Sequence, residues 1–235
     1  VKALVKLFNS FSPEHSVYNV FSDFLDLAAC SISCRVDLTT RDEREERYMS
    51  VIGKYKPRDQ ALFPEVFAAI ADELENPRDV LGELFSELEL YSTAAGQFFT
   101  PYHLSVLMAR ALINDSIEET IRKRGRVSVL EPACGAGGMV IAFAQAMREK
   151  GYNPQRQMFA SCGDIDLRAV QMTYIQLSLL GISAVIEHKN ALTLETFSPV
   201  WRTPAYMLGP VLFMALGEQR GAAAAVGEGQ LRLFA

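Results

Sequence analysis

Apolar positions in the first part of the chain fall at helical spacing. From Ser12, read as an N-cap with Pro13 at the first helical position, Val17, Val20, Phe21, Phe24, Leu25 and Ala28 line one face. Helical patterns continue over Arg41 to Tyr55, Pro64 to Glu75 and Asp79 to Leu90, separated by Pro57 and by Asn76 with Pro77. They predict an all-helical N-terminal subdomain over residues 1–91. The stretch Ser92 to Pro101 reads as a loop. Thr100 then caps, and Pro101 opens, a long helix to Arg124 that Gly125 stops.

Beyond Gly125 the period changes. Arg126 to Glu131 is a short β-rich run, Met139 to Lys150 a helix stopped by Gly151, and Met158 to Asp164 a second strand. Leu167 to Leu180 is a helix stopped by Gly181, and Ser183 to His188 a third strand. The order β, α, β, α, β calls for an α/β fold with a parallel, doubly wound sheet. A fourth strand is expected at Ala205 to Leu208. Residues 92–216 thus form the α/β domain, and residues 217–235 a flexible Gly- and Ala-rich tail with an apolar end.

Composition narrows the class. With 49% hydrophobic and 22% charged residues the chain is an ordinary globular protein rather than a disordered one. No apolar run reaches the ~18 residues that span a membrane, and the N-terminus lacks a signal-like pattern, so a cytoplasmic protein is expected. Cys30, Cys34, Cys134 and Cys162 form no CxxC pair, and His15, His103 and His188 are scattered, so reduced thiols and no metal site are expected. The net charge of −5 lacks the basic excess of a domain that grips DNA by itself. If DNA is the partner, another subunit does much of the holding.

The segment Glu131-Pro-Ala-Cys-Gly-Ala-Gly-Gly138 lies where a strand turns into a helix, and its glycines let backbone approach a ligand closely. A dinucleotide site wants Gly or Ala three residues beyond Gly137, where Val140 stands. Glu131 ahead of the glycines suits a ligand bearing an amine better than one bearing a pyrophosphate. Asp164, at the carboxyl end of the second strand, is placed to accept both hydroxyls of a ribose. Asp166 reads as the cap of the following helix.

These residues resemble motif I of the N6-adenine DNA methylases, particularly the modification subunits of type I restriction systems. Gln97, Phe98, Phe99, Thr100 and Pro101 resemble the motif that precedes it in that family. The resemblance covers about Gly96 to Leu192. It implies a Rossmann-like S-adenosylmethionine-dependent methyltransferase fold with S-adenosylmethionine as cofactor. Gln97, Phe99, Thr100 and Pro101 would lie toward its methionine end. Glu131, Ala133 and Gly135 would hold the amino-acid moiety, and Asp164 with Ile165 the ribose and adenine. Asn190-Ala191-Leu192 stands at the third motif, where the Asn190 amide would pair with adenine. Asn190 reads equally as a turn residue.

The family's acceptor motif is Asn or Asp, then Pro-Pro, then Tyr or Phe, because an exocyclic amine is a poor nucleophile until acceptors align its lone pair. Its aromatic ring stacks on the flipped base. Here the corresponding stretch is Gly209-Pro210-Val211-Leu212. Gly209 has no side-chain acceptor, and a slip that brings in Phe213 supplies a ring but no amide. No target-recognition domain is visible in the sequence. The expected function is S-adenosylmethionine binding linked to DNA modification, without independent methyl transfer. One rival is a working enzyme whose acceptor group comes from a partner chain, and another is a non-enzymatic interaction module on the same scaffold.

Three further stretches bear on partners. Arg122, Lys123, Arg124 and Arg126 form a basic cluster that suits a helix C-terminus. The run Arg41 to Arg47 mixes signs as a solvated helical face does. The end, Gln230-Leu231-Arg232-Leu233-Phe234, resembles the short peptide by which bacterial repair and replication proteins dock onto the sliding clamp, with Gly and Ala supplying reach.

Overall fold

The computed structural model describes residues 1–90 and 100–209. An N-terminal layer contains α1 (Lys2–Phe8), α2 (Val17–Ser33), α3 (Arg41–Ile52), α4 (Pro57–Glu73) and α5 (Val80–Glu87). Two further helices follow, α6 (Tyr102–Leu112) and α7 (Asp115–Arg124). The α/β part runs β1 (Val127–Glu131), α8 (Gly138–Glu149), α9 (Pro154–Gln157), β2 (Met158–Asp164), α10 (Leu167–Leu179), β3 (Ser183–His188) and β4 (Trp201–Arg202). The expected subdomain boundary near Tyr91 lies outside the described residues.

The sheet order is β1-β2-β3-β4, with β1, β2 and β3 parallel and β4 antiparallel to β3. Both parallel crossovers step the same way, so their right-handedness sets α8 and α10 on one face. Burial alternates to match: Met158, Ala160, Cys162, Ala184 and Ile186 are buried, whereas Ser128 and Leu130 of β1 are exposed. The architecture is Rossmann-like α/β, wound in a single direction among the described residues rather than doubly.

Several boundaries differ from the sequence reading, each for a local reason. Ser16, not Ser12, caps α2, its side chain accepting from Asn19 N at 3.2 Å, while residues 12–15 form a turn closed by His15 N donating to Ser12 O. The helix expected from Pro64 begins at Pro57, which takes the first helical position and leaves Pro64 inside. The long helix expected from Pro101 breaks at Asn114, whose side chain accepts from Ser116 N and Ile117 N and starts α7 afresh. Gly125 does end α7, in left-handed geometry at φ 73°.

The fourth strand is not at Ala205 to Leu208. Residues 204–209 are helical, and the strand is Trp201–Arg202. Pro204 has no N–H to give a ladder and fits a first helical turn. Thr203 fixes the approach, its Oγ1 donating to Ile182 O at 2.8 Å and accepting from Ala184 N at 2.9 Å.

The N-terminal layer shares its core with the sheet layer, since α2 and α5 both pack on α10. The mixed-charge run of α3 makes part of this junction, which corrects its reading as a wholly solvated face. Arg41 and Glu45 form an exposed pair at helical spacing, but Arg44 is buried. Arg44 donates to Ser33 Oγ and to Val200 O, sits 3.7 Å from the Asp37 carboxylate, and lies 4.0 Å from the Trp201 ring centre. Arg47 makes a two-pronged contact with Asp26 at 2.7 and 2.9 Å. The basic last turn of α7 is exposed, with Lys123 paired to Glu119 at 2.7 Å.

Candidate cofactor site

β1 ends at Glu131, and the chain turns through a glycine loop into α8. Gly135 and Gly137 take left-handed backbone, at φ 53° and 91°, a conformation that only glycine adopts without strain. At Gly137 a Cβ would also come within 3.1 Å of Thr173 Oγ1.

The loop is held from beneath by buried polar side chains of α10. Thr173 Oγ1 donates to Gly135 O at 2.9 Å, and Gln176 Nε2 donates to Ala136 O at 2.7 Å. Gln176 also donates to Asp79 Oδ1 at 2.9 Å and accepts from Leu81 N at 3.1 Å. Asp79 caps α5 by accepting from Gly82 N at 2.9 Å, and burial raises its carboxyl above the usual range. A single polar set therefore fastens the loop to the N-terminal layer.

The loop's own N–H groups are largely engaged within the protein. Cys134 N donates to Gly163 O at 2.9 Å, Gly137 N to Cys134 O at 2.8 Å, and Gly135 N to Asp164 Oδ2 at 2.9 Å. Donors so used do not form a phosphate cradle. Carboxylates flank the crevice instead. Glu131, half-buried, accepts from Ala133 N at 3.3 Å; burial raises its carboxyl above the ordinary value and the Asp164 charge adds to that, against the Ala133 hydrogen bond. Asp164 is fixed through both oxygens, with Oδ1 accepting from Asp166 N at 3.0 Å. Two neighbouring carboxylates favour a ligand with a positive group and hydroxyl donors.

The structure thus brings together Glu131, Ala133, Gly135 and Asp164 at the carboxyl ends of β1 and β2. Ile165 follows with its side chain exposed, and Lys189 N donates to Asp164 O at 2.9 Å, bringing the end of β3 alongside. Asn190 occupies a turn: its Oδ1 accepts from Leu192 N at 2.9 Å and Thr193 N at 3.2 Å. Ala191 and Leu192 are exposed in that turn. Asp166 caps α10, accepting from Arg168 N at 2.9 Å. Thr100 and Pro101 are exposed before α6, with Pro101 the N-cap residue rather than the first helical one. Gln97 and Phe99 lie outside the described residues, as do Pro210 and Phe213; Gly209 ends the helical residues 204–209.

Cys134 sits inside the loop, but burial pushes its thiol up to about 12, which removes it as a nucleophile at neutral pH. Asp79, Thr173 and Gln176 are the site residues that sequence reading missed. Their signal was present in part, since Thr173 and Gln176 are polar residues about one turn apart among the apolar positions of α10.

The profile of the N-6 DNA Methylase family matches residues 77–207. Among solved structures, a Listeria monocytogenes protein described as a class I S-adenosylmethionine-dependent methyltransferase aligns at 19% identity with a TM-score of 0.47. The alignment covers 85% of this chain and 56% of that one, so the chain spans little more than half the length of the structure it resembles. No curated protein matches. The family match takes in more than half of the chain and centres on the glycine loop and the carboxylates around it: this protein belongs to the N-6 DNA methylase family.

Proposed function

We propose that this chain binds S-adenosylmethionine in the crevice between Glu131 and Asp164, as the cofactor-binding part of an N6-adenine DNA modification system. The observation that carries the reading is the paired carboxylate geometry, with Gly135 N fixing Asp164 at 2.9 Å beside a half-buried Glu131. S-adenosylmethionine carries a sulfonium and an amine against one carboxylate, so a site of negative charge suits it. Glu131 and Gly135 would take the amino-acid end, Asp164 the ribose hydroxyls and Ile165 the adenine face. Asn190 would offer its amide nitrogen to the base, its oxygen being held in the turn. Thr100 and Pro101 would border the methionine end together with Gln97 and Phe99. The cofactor supplies an electrophilic methyl group; the chain's residues bind and orient it.

Methyl transfer further needs an acceptor that aligns the adenine amine. Gly209 offers none, so in this reading the chain alone does not methylate DNA. A partner subunit, of the kind found in type I restriction systems, would hold most of the DNA. Gln230, Leu231, Leu233 and Phe234 would dock on the sliding clamp; those residues lie outside the described part. A second reading, an interaction module on the same scaffold, is favoured by α6. Its Leu104, Leu107, Met108 and Leu112 are exposed at helical spacing.

Isothermal titration with S-adenosylmethionine tests the first reading. Binding that Asp164→Ala weakens by at least the ~10-fold that 1.4 kcal/mol represents supports it. No binding by the intact chain refutes it. Turnover on unmethylated DNA by the chain alone refutes the catalytic part.

A further inference from the structure

The turn before α2 and the first turn of α4 bring together three side chains that the cofactor site does not use. Glu14, His15 and Asp59 each present a ligand-type atom, and these atoms lie within 4.8 Å of one another. Asp59 is fully buried, and its Oδ1 accepts from Ser12 N at 3.3 Å. Its Oδ2 is buried with no hydrogen-bond partner among the described residues. A buried carboxylate oxygen is not left unsatisfied without a large penalty, so it points to a missing cationic partner.

The neighbours favour a fixed site. The His15 ring packs on Tyr55 with centroids 4.4 Å apart, and Tyr55 is itself anchored, its hydroxyl donating to Asp23 Oδ2 at 2.7 Å. Tyr55 also meets Phe63 edge-on at 4.8 Å. Glu14 approaches from the solvent side, where its Oε1 pairs with Lys56 Nζ at 2.8 Å. The Lys56 side chain is mostly exposed and can swing into solvent when a stronger cation takes its place.

We propose that Glu14, His15 and Asp59 bind a divalent cation, with zinc the best match. An imidazole nitrogen with two carboxylate oxygens suits a borderline cation, whereas calcium and magnesium prefer oxygen alone. Three protein ligands leave a fourth position for water. The bound ion satisfies Asp59 Oδ2 and pins the turn between α1 and α2 onto α4. Sequence spacing hid the site, because Glu14 and His15 are neighbours and Asp59 joins them only through the fold.

The test is zinc titration of the full chain after chelator treatment, by calorimetry and thermal unfolding, in wild type, His15→Ala, Asp59→Asn and Glu14→Gln. Asp59→Asn keeps the acceptor for Ser12 N, and Glu14→Gln alters only an exposed group, so at least one variant reports on a folded protein. One equivalent of zinc is expected to bind and raise the unfolding temperature. Each variant is expected to weaken binding by at least the ~10–100-fold that loss of a supporting outer-shell group already causes. Cobalt in place of zinc is expected to give a spectrum without thiolate charge-transfer bands. Three results overturn the proposal: no uptake, uptake unchanged in His15→Ala, or a cobalt spectrum with thiolate bands that Cys34→Ser removes.

Discussion

Gln176 is the hinge of the glycine loop's support, and replacing it with Met isolates that role. Met keeps the volume and the helix propensity of Gln, so the change is confined to polar contacts. Gln176 makes three buried hydrogen bonds: to Ala136 O at 2.7 Å, to Asp79 Oδ1 at 2.9 Å and from Leu81 N at 3.1 Å. In the variant the partners stay buried without it. Leaving such a group unsatisfied costs about 1–3 kcal/mol, and more for a charged one, so three groups with partial relaxation give a loss of roughly 3–6 kcal/mol. Set against a total stability of about 5–15 kcal/mol, that is a large fraction. Urea unfolding at constant m measures it. The same variant is expected to weaken S-adenosylmethionine binding, because the Ala136 carbonyl no longer fixes the loop that carries Gly135. A loss below ~1 kcal/mol, the net worth of one ordinary hydrogen bond, would refute the idea that this network holds the loop.

Asp79→Asn acts on the same network in the opposite sense, since an amide oxygen can still accept from both Gly82 N and Gln176 Nε2, which now converge on Oδ1. Burial raises the Asp79 pKa above 3.8 in the folded state, so wild type is stabilised below 3.8 and loses that stability as pH rises through the raised value. The variant is therefore expected to be the more stable above that window, with the difference vanishing below pH 3.8; denaturant curves at several pH values showing a constant difference would sink it. Arg44→Met breaks the ion pair with Asp37 and the bond to Val200 O, and is expected to cost about 3–5 kcal/mol, as the loss of one partner of a buried pair does. A near-neutral result by calorimetry would show that Arg202, 3.5 Å from the Asp37 carboxylate, suffices as its partner. Glu131, raised from 4.5 by burial and Asp164, holds a proton between 4.5 and its raised value, and an amine-bearing ligand should expel it. Affinity for S-adenosylmethionine is expected to rise with pH through that window, with heats that depend on buffer; a flat profile would exclude Glu131 as the amine's partner.

Strong local patterns were legible in the sequence. The second and third strands were read at their observed bounds, Met158–Asp164 and Ser183–His188, because apolar runs there are bounded by turns and by helices that end at glycines. Glu131, Gly135 and Asp164 were expected at one crevice, and they do converge there, because a strand end and a glycine loop are set by local backbone geometry. Side chains whose role depends on distant partners were not. Arg44 looked like one charge in a solvated run until Trp201 and Asp37 were placed beside it, and nothing in the local sequence beyond its polarity singles out Gln176, whose role depends on Asp79, 97 residues away. Local competition also misled: Ser12 and Ser16 both have cap chemistry, and what separates them is that the Ser16 side chain accepts from Asn19 N whereas Ser12 opens a turn and gives its N–H to Asp59. Asn114 was overlooked as a cap inside an otherwise continuous helical pattern.

Among the described residues the candidate cofactor crevice is supported from one side, and that bears on how donor and acceptor functions can be separated. Thr173, Gln176 and Asp79 hold the loop from the helical face, whereas β1 pairs with β2 alone among the described residues and leaves Leu130 exposed on the other face. Near that other face the described contact is Tyr206 on Phe159, with ring centroids 5.9 Å apart, just ahead of Gly209. A group that aligns an acceptor amine has to approach the methyl donor without disturbing the loop's buried anchors. Among the described residues the second edge of β1 is unpaired and Leu130 is exposed beside it, which permits this whether the group comes from this chain or another. Changes at Gln176 or Asp79 are therefore expected to act on affinity for S-adenosylmethionine whether or not DNA is present. Changes at Leu130 or Tyr206 are expected to leave cofactor affinity intact and to act only once the acceptor side is assembled.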